Sequence, residues 1–199
     1  MNVVGRVDRN DWTVEVHEAL AVLRLAHVAL DDPLTAGELA DVEERFRFTF
    51  APDHAALLRA CLPTGEAWPD WRYATDDRLR ERLDSPVRGV LFDVSTNGFW
   101  PASWGARPQD LQEALGVATV HLGRWPQLVP LYAHRFVAAG SRGRRVFSVH
   151  QTDVISYGED LVDYLRREFH PFNEPPVSPD PDPIWPWSDL ACGAEDGDL

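Results

Sequence analysis

Four short segments in the second half of the chain restrict its fold more than any other feature. Leu128-Val-Pro-Leu131-Tyr132, Arg135-Phe-Val-Ala138, Val146-Phe-Ser-Val149 and Val154-Ile155-Ser-Tyr157 are rich in β-branched and aromatic residues, and turn material such as Ala139-Gly140-Ser141-Arg142-Gly143 separates them. Strands joined by so few residues pair only antiparallel, as hairpins or a meander, because a parallel crossover needs a far longer connection.

The chain ahead of these segments has helical spacing. From Asp11 to about Leu30, Trp12, Val16, Leu20, Leu23 and Leu30 recur on one face, and Asp31-Asp32-Pro33 closes the pattern. Thr35-Ala36-Gly37-Glu38 is a capping box with Leu34 and Leu39 at the staple positions, so a helix runs on to about Phe46. Phe46-Arg-Phe48-Thr-Phe50 alternates for too few residues to define a strand, and Pro52 opens a further helix through Leu57, Leu58, Cys61 and Leu62. Asp76 to Leu83 and Pro86 to Val94 read as two short helices parted by Asp84-Ser85-Pro86, and Pro108 to about Leu122 as another. A last helix covers Glu159 to Phe169. Helices, then a small sheet, then a helix is the order of an α+β fold, helices packed on a small, mainly antiparallel β-sheet.

At 199 residues, with 44% hydrophobic and 26% charged, the chain suits one core. Residues 1–33 form an N-terminal helical extension, 34–170 the α+β domain, and 171–199 an acidic, Pro-rich tail. The tail holds seven of the 16 prolines, seven acids and no Arg, a composition that does not fold alone. Within it Ile184-Trp185-Pro186-Trp187 is an apolar knot predicted to dock on the body.

Charge and motifs exclude several functions. No apolar run approaches the ~20 residues that span a bilayer, and the N-terminus lacks an apolar signal core, which points to a cytoplasmic protein with no membrane partner. The net charge is -13 and every one of the 19 basic residues is Arg, a field that repels nucleic acid and favours a cationic protein partner. No strand–glycine-rich loop–helix unit is present to cradle phosphates, so no nucleotide cofactor is expected. The seven histidines are scattered and the two cysteines, Cys61 and Cys192, form neither a disulfide framework nor a metal quartet, so no metal is expected.

Three groups of residues are candidates for function. His134 and Arg135 lie beside one strand, and Ser148, His150 and Asp153 beside the next, where a hairpin can bring them together. His134 could then act as a general base oriented by Asp153, with Arg135 as an anion clamp. The alternative is a turn in which Gln151-Thr152-Asp153 bonds local backbone. Asp93 ends a helix, where the macrodipole disfavours a carboxylate, so it calls for a specific partner, with Arg135 or Arg72 as candidates. Trp68, Trp71, Phe99, Trp100 and Trp104, with Asn97 nearby, fill the core beneath loops or line a cleft that holds a partner.

The string Phe50-Ala51-Pro52-Asp53-His54, Trp68-Pro69-Asp70-Trp71-Arg72, Gly89-Val90-Leu91-Phe92-Asp93, Asn97-Gly98-Phe99-Trp100, His134-Arg135-Phe136, Val146-Phe-Ser-Val-His150-Gln-Thr-Asp153 and Tyr157-Gly158-Glu-Asp160 resembles a bacterial branch of the SUKH superfamily, the domain shared with yeast cell-wall-assembly regulators. The likeness covers residues 35 to 169 and leaves out the first 33 residues and the tail. It implies helices on a small antiparallel sheet and a non-catalytic, protein-binding role. Many bacterial members are immunity proteins that neutralise a toxin, and an acidic face would suit a basic toxin domain. The partner-binding residues expected on this reading are Trp68, Trp71, Asp93, Asn97, Trp100, Trp104, His134, Arg135, His150 and Asp153. The competing expectations are an enzyme or small-ligand-binding protein built on His134, Arg135, His150 and Asp153, and a regulatory scaffold of the cell-wall-assembly type.

Overall fold

A computed structural model describes residues 11–140, 144–169, 176–178 and 183–193. All tail acids except Asp189 lie outside these residues, and the side chain of Trp12 is not among those described. Helix α1 (Asp11–Leu25) stops five residues before the predicted end. His27 takes a left-handed φ of 54°, and the Val28 amide turns back to the Leu23 carbonyl at 3.0 Å, a helix-closing turn with histidine where glycine is usual. Leu30 is thereby free to pair. Strand β1 (Leu30–Asp31) joins β2 (Leu62–Pro63) antiparallel, Leu30 opposite Pro63.

Helix α2 (Ala36–Phe46) opens on the capping box read from the sequence. The Glu38 amide donates to Thr35 Oγ1 at 3.1 Å and the Thr35 amide to Glu38 Oε2 at 2.7 Å. Arg72 adds a 2.6 Å bond from Nε to Glu38 and donates to the Pro33 carbonyl at 2.8 Å, stapling the Trp-rich loop to the helix start. That guanidinium, with the Thr35 donors, holds the Glu38 carboxyl down to about 2. Phe46, Phe48 and Phe50 are buried and Arg47 and Thr49 exposed, yet the segment forms no strand, and Phe50 leads directly into α3 (Pro52–Leu58).

Helix α4 (Asp76–Thr96) is one helix of 21 residues where the sequence suggests two. Pro86 cannot donate to the Arg82 carbonyl, but the Ser85 hydroxyl does so at 2.7 Å, and Arg88 satisfies the Glu81 carbonyl at 2.7 Å. The helix also bridges two cores, which rewards its continuity. Leu79 and Leu83 pack with Phe48, Phe50 and Trp71, whereas Val90 and Val94 pack with Trp104, Ala118, Leu122 and the main sheet. Helix α5 (Leu111–Leu122) starts three residues later than predicted, because the Asp110 side chain caps it by accepting from the Glu113 amide at 2.9 Å.

The main sheet is the predicted meander. Strands β3 (Leu128–Tyr132), β4 (Arg135–Ala138), β5 (Val146–His150) and β6 (Asp153–Gly158) lie in chain order, every pair antiparallel, so the fold is α+β. Leu131, Val137 and Val146 pack on one face with α1, α3 and α6 (Leu161–Phe169). Phe136, Phe147, Val149 and Val154 pack on the other with α4, α5 and α7 (Trp187–Ala191). Helix α6 begins two residues later than predicted, with Asp160 Oδ1 accepting from the Asp163 amide at 2.8 Å.

The apolar knot of the tail docks through Ile184 and Trp187, whereas Trp185 stays 55% exposed. Trp187 is 1% exposed, donates from Nε1 to the Pro126 carbonyl at 2.8 Å, and meets Trp125 edge-on at 4.9 Å. Ser178 is held between the Arg145 guanidinium, which donates to its carbonyl at 2.9 Å, and Glu159, which accepts from its amide at 2.8 Å. The N-terminal extension, through Ala19 and Leu23, and the tail, through Ile184 and Trp187, thus share cores with the central domain. Replacing Trp187 by Ala removes a fully buried ring and a hydrogen bond, for which a loss of about 3 to 5 kcal/mol is expected in urea unfolding.

Candidate functional site

Antiparallel register assembles the His/Arg cluster. Arg135, Ser148 and Ile155 sit opposite one another across β4, β5 and β6, and His150 sits opposite Asp153 at the turn end of β5 and β6. The adjoining residues Phe147, Val149 and Val154 point to the opposite, buried face, so this end of the sheet presents Ser148, His150, Asp153 and Ile155 together. Ile155 is 50% exposed, and His134, His150 and Asp153 are exposed at the same end of the sheet.

Arg135 anchors this patch from below. It is buried, with Nε on Glu168 at 3.2 Å, Nη1 on Ser148 Oγ at 2.9 Å, and its guanidinium 3.9 Å from the centroid of the Tyr157 ring. It also donates to the His134 ring. Burial, and next the adjacent Arg135 charge, push the His134 pKa below that of a free imidazole. His134 therefore neighbours a cation, and no hydrogen bond joins it to Asp153. Arg135, the suggested anion clamp, is ion-paired with Glu168. Glu168 and Tyr157 escaped sequence reasoning, since nothing local to residue 168 announces a partner 33 positions away.

Asp93 has a partner, but neither arginine suggested for it. Its Oδ2 accepts from the Thr152 amide at 2.9 Å and the Thr152 hydroxyl at 2.6 Å, and its Oδ1 accepts from Asn97 Nδ2 at 2.5 Å. The β5–β6 turn can reach the helix because residue 89 is glycine. A Cβ there would stand 2.8 Å from the Gln151 Cα. Thr152 thus bonds a distant helix and not the local backbone of its turn. Asp93 and Asn97 thus brace, from α4, the turn that carries His150 and Asp153. Asp93→Asn replaces an acceptor of Thr152 by a donor wherever the amide faces it, so a loss of about 1 to 3 kcal/mol is expected, read as a lowered melting temperature.

The candidate tryptophans divide between cores, and Trp68 and Trp71 both border a small void beside His54. Trp71 is buried with Phe48, Phe50 and His54; Trp104, half-buried Trp100 and Phe99 form a second set near Trp125 and His121. Trp68 stacks on Phe169 at 5.9 Å and meets Tyr132 edge-on at 4.8 Å. Among the described residues, no three His, Cys, Asp or Glu side chains are grouped to hold a metal ion, and no helix is long and apolar enough to cross a membrane. Comparisons with protein-family models, with curated proteins and with solved structures found no match.

A further pair, Asp53 and His54, is buried at the start of α3. Asp53 Oδ1 accepts from the His54 amide at 2.8 Å, whereas Asp53 Oδ2 and His54 Nδ1 have no hydrogen-bond partner. Burial raises Asp53 to about 6, against the pull of the His54 amide and the Arg144 charge, and burial lowers His54 to about 3. Their effects on stability oppose. Between pH 3.8 and about 6 native Asp53 holds a proton that the unfolded chain has lost, so its contribution falls as pH rises. Between pH 6.5 and about 3 the unfolded chain gains a proton that native His54 refuses, so its contribution falls as pH drops. Asp53→Asn removes the first slope. Relative to wild type, the variant should gain up to about 3 kcal/mol more at pH 7 than at pH 4, measured by urea unfolding across that range.

Proposed function

We propose that this chain is a non-catalytic protein-binding domain of the immunity type, which holds a cationic toxin domain against the open end of its main sheet. The observation that carries this reading is the patch itself, an exposed Ile155 with Asp153 on its own strand, His150 on the adjoining one and exposed His134 beyond, at the same end as the neutralised Arg135–Glu168 pair. An apolar centre with a polar rim is the anatomy of a protein interface. The net charge of -13 favours a cationic partner, since opposite fields steer encounter. The resemblance to SUKH immunity proteins supports the same role.

The test is capture of partners from native extract with the purified chain as bait, at about 50 and about 500 mM salt, where the screening length falls severalfold. The expected result is one basic protein, the product of a neighbouring toxin-like reading frame, retained at low salt and released at high salt. Ile155→Arg should weaken its binding about tenfold or more, as replacing a central anchor by a like charge does. No partner at either salt, or a partner indifferent to both salt and Ile155→Arg, overturns the reading.

A further inference from the structure

Between the loop after β2 and the first half of α4 lies an open cavity of about 370 Å³. Two further voids, beside Asp53 and beside His54, hold only about 10 Å³ each. The larger volume lies within the range that small-molecule sites occupy, roughly 300 to 1,000 Å³. Its floor is apolar, built from Trp68, Leu62 and Leu79, and Tyr73 stands at its edge, 75% exposed.

Its wall is cationic. Arg78 and Arg82, one helical turn apart on α4, both line it. Arg82 is fixed in place, donating to the Glu66 carbonyl at 2.6 Å and the Ala67 carbonyl at 3.0 Å, which occupies two of its five N–H groups. Among the described residues the Arg78 guanidinium has no hydrogen-bond or ion-pair partner. The two like charges are near enough for Arg78, after burial, to depress the pKa of Arg82.

One of the three lining acids is tied to an arginine outside the cavity. Asp31 is drawn to Arg72 at 3.5 Å, and Asp70 Oδ1 accepts from the Tyr73 amide at 2.8 Å. Glu66 and Asp70 are left as lining carboxylates without an ion-pair partner, set against the guanidiniums of Arg78 and Arg82. The two guanidiniums are grouped on the α4 side of the cavity, in a chain of net charge -13.

We propose that this cavity binds a small organic anion, a carboxylate or phosphate group carried on a flat apolar body. The oxyanion would accept from Arg78 and the spare hydrogens of Arg82, the geometry in which guanidinium recognises planar oxyanions. The apolar body would lie over the Trp68 and Leu79 floor, with the exposed Tyr73 ring beside it. This proposal stands apart from the Ile155 patch and does not depend on it.

The experiment is amide NMR titration of the full chain with benzoate, phenyl phosphate and, as an uncharged control, benzyl alcohol. At least one of the two anions should give saturable shifts among residues 64 to 82, and benzyl alcohol should bind about tenfold more weakly or worse. Which anion binds identifies the oxyanion. Arg78→Gln, at an exposed position, should weaken binding about tenfold with an unchanged melting temperature, and Glu66→Gln should tighten it by removing the opposing charge. The proposal is overturned if neither anion gives a saturable shift up to about 10 mM. It is equally overturned by benzyl alcohol binding as well as the anions, or by wild-type affinity in Arg78→Gln.

Discussion

The β4–β5 pair is buried on both faces, and the rest of the architecture answers that constraint. Every residue of β4 is buried, with Val137 and Val146 turned to one helical layer and Phe136 and Phe147 to the other. An antiparallel sheet can leave one face to water, but these strands carry apolar side chains on both, so both need cover. This chain supplies the two helical layers by adding helices from outside the central domain. The layer of α1, α3 and α6 draws on the first helix, and the layer of α4, α5 and α7 draws on the tail. Where the first layer stops short, at the Arg135–Ser148–Ile155 row, the sheet presents its candidate interface.

The exclusive use of arginine has a structural counterpart. Arg72, Arg82, Arg107 and Arg145 each donate to backbone carbonyls far away in sequence, as Arg107 does to Val94 at 2.7 Å and Arg82 to Glu66 at 2.6 Å. A planar guanidinium with several donors can hold a carbonyl and a carboxylate at once, as Arg72 does with Pro33 and Glu38, which an ammonium does less well. Many of the basic groups thus serve as internal staples between loops and helices. The acids in excess of them give the molecule its negative field, and the cavity wall of Arg78 and Arg82 stands out against it.

Features that depend on near neighbours were legible in the sequence. The Thr35 and Glu38 box, the short strands and their antiparallel pairing, the proline-led start of α3 and the docking Trp187 all follow from side chains a few residues apart or from simple burial of apolar groups. Reading failed where a distant or less usual group took over a local role. Ser85 repairs the break that Pro86 implies, His27 replaces the glycine that would have marked the end of α1, and Asp110 moves a helix start from Pro108. The candidate site divides the same way. Register could bring His134, Arg135, Ser148, His150 and Asp153 to neighbouring strands, but the Glu168 that neutralises Arg135 lies on a helix whose approach no local pattern encodes.

The sequence by itself determined the α+β class, the antiparallel meander, the strongly acidic character and the set of polar residues at the strand ends. These rest on side-chain period, turn length and charge, which are properties of the chain read in order. Only the tertiary structure decided that Asp93 belongs to Thr152, that the tryptophans fill separate cores, and that Arg78 and Arg82 face a cavity. Each of these is a meeting of groups brought together by packing, and packing is set by the burial of all surfaces at once. No single segment carries the information about which distant surface will cover it.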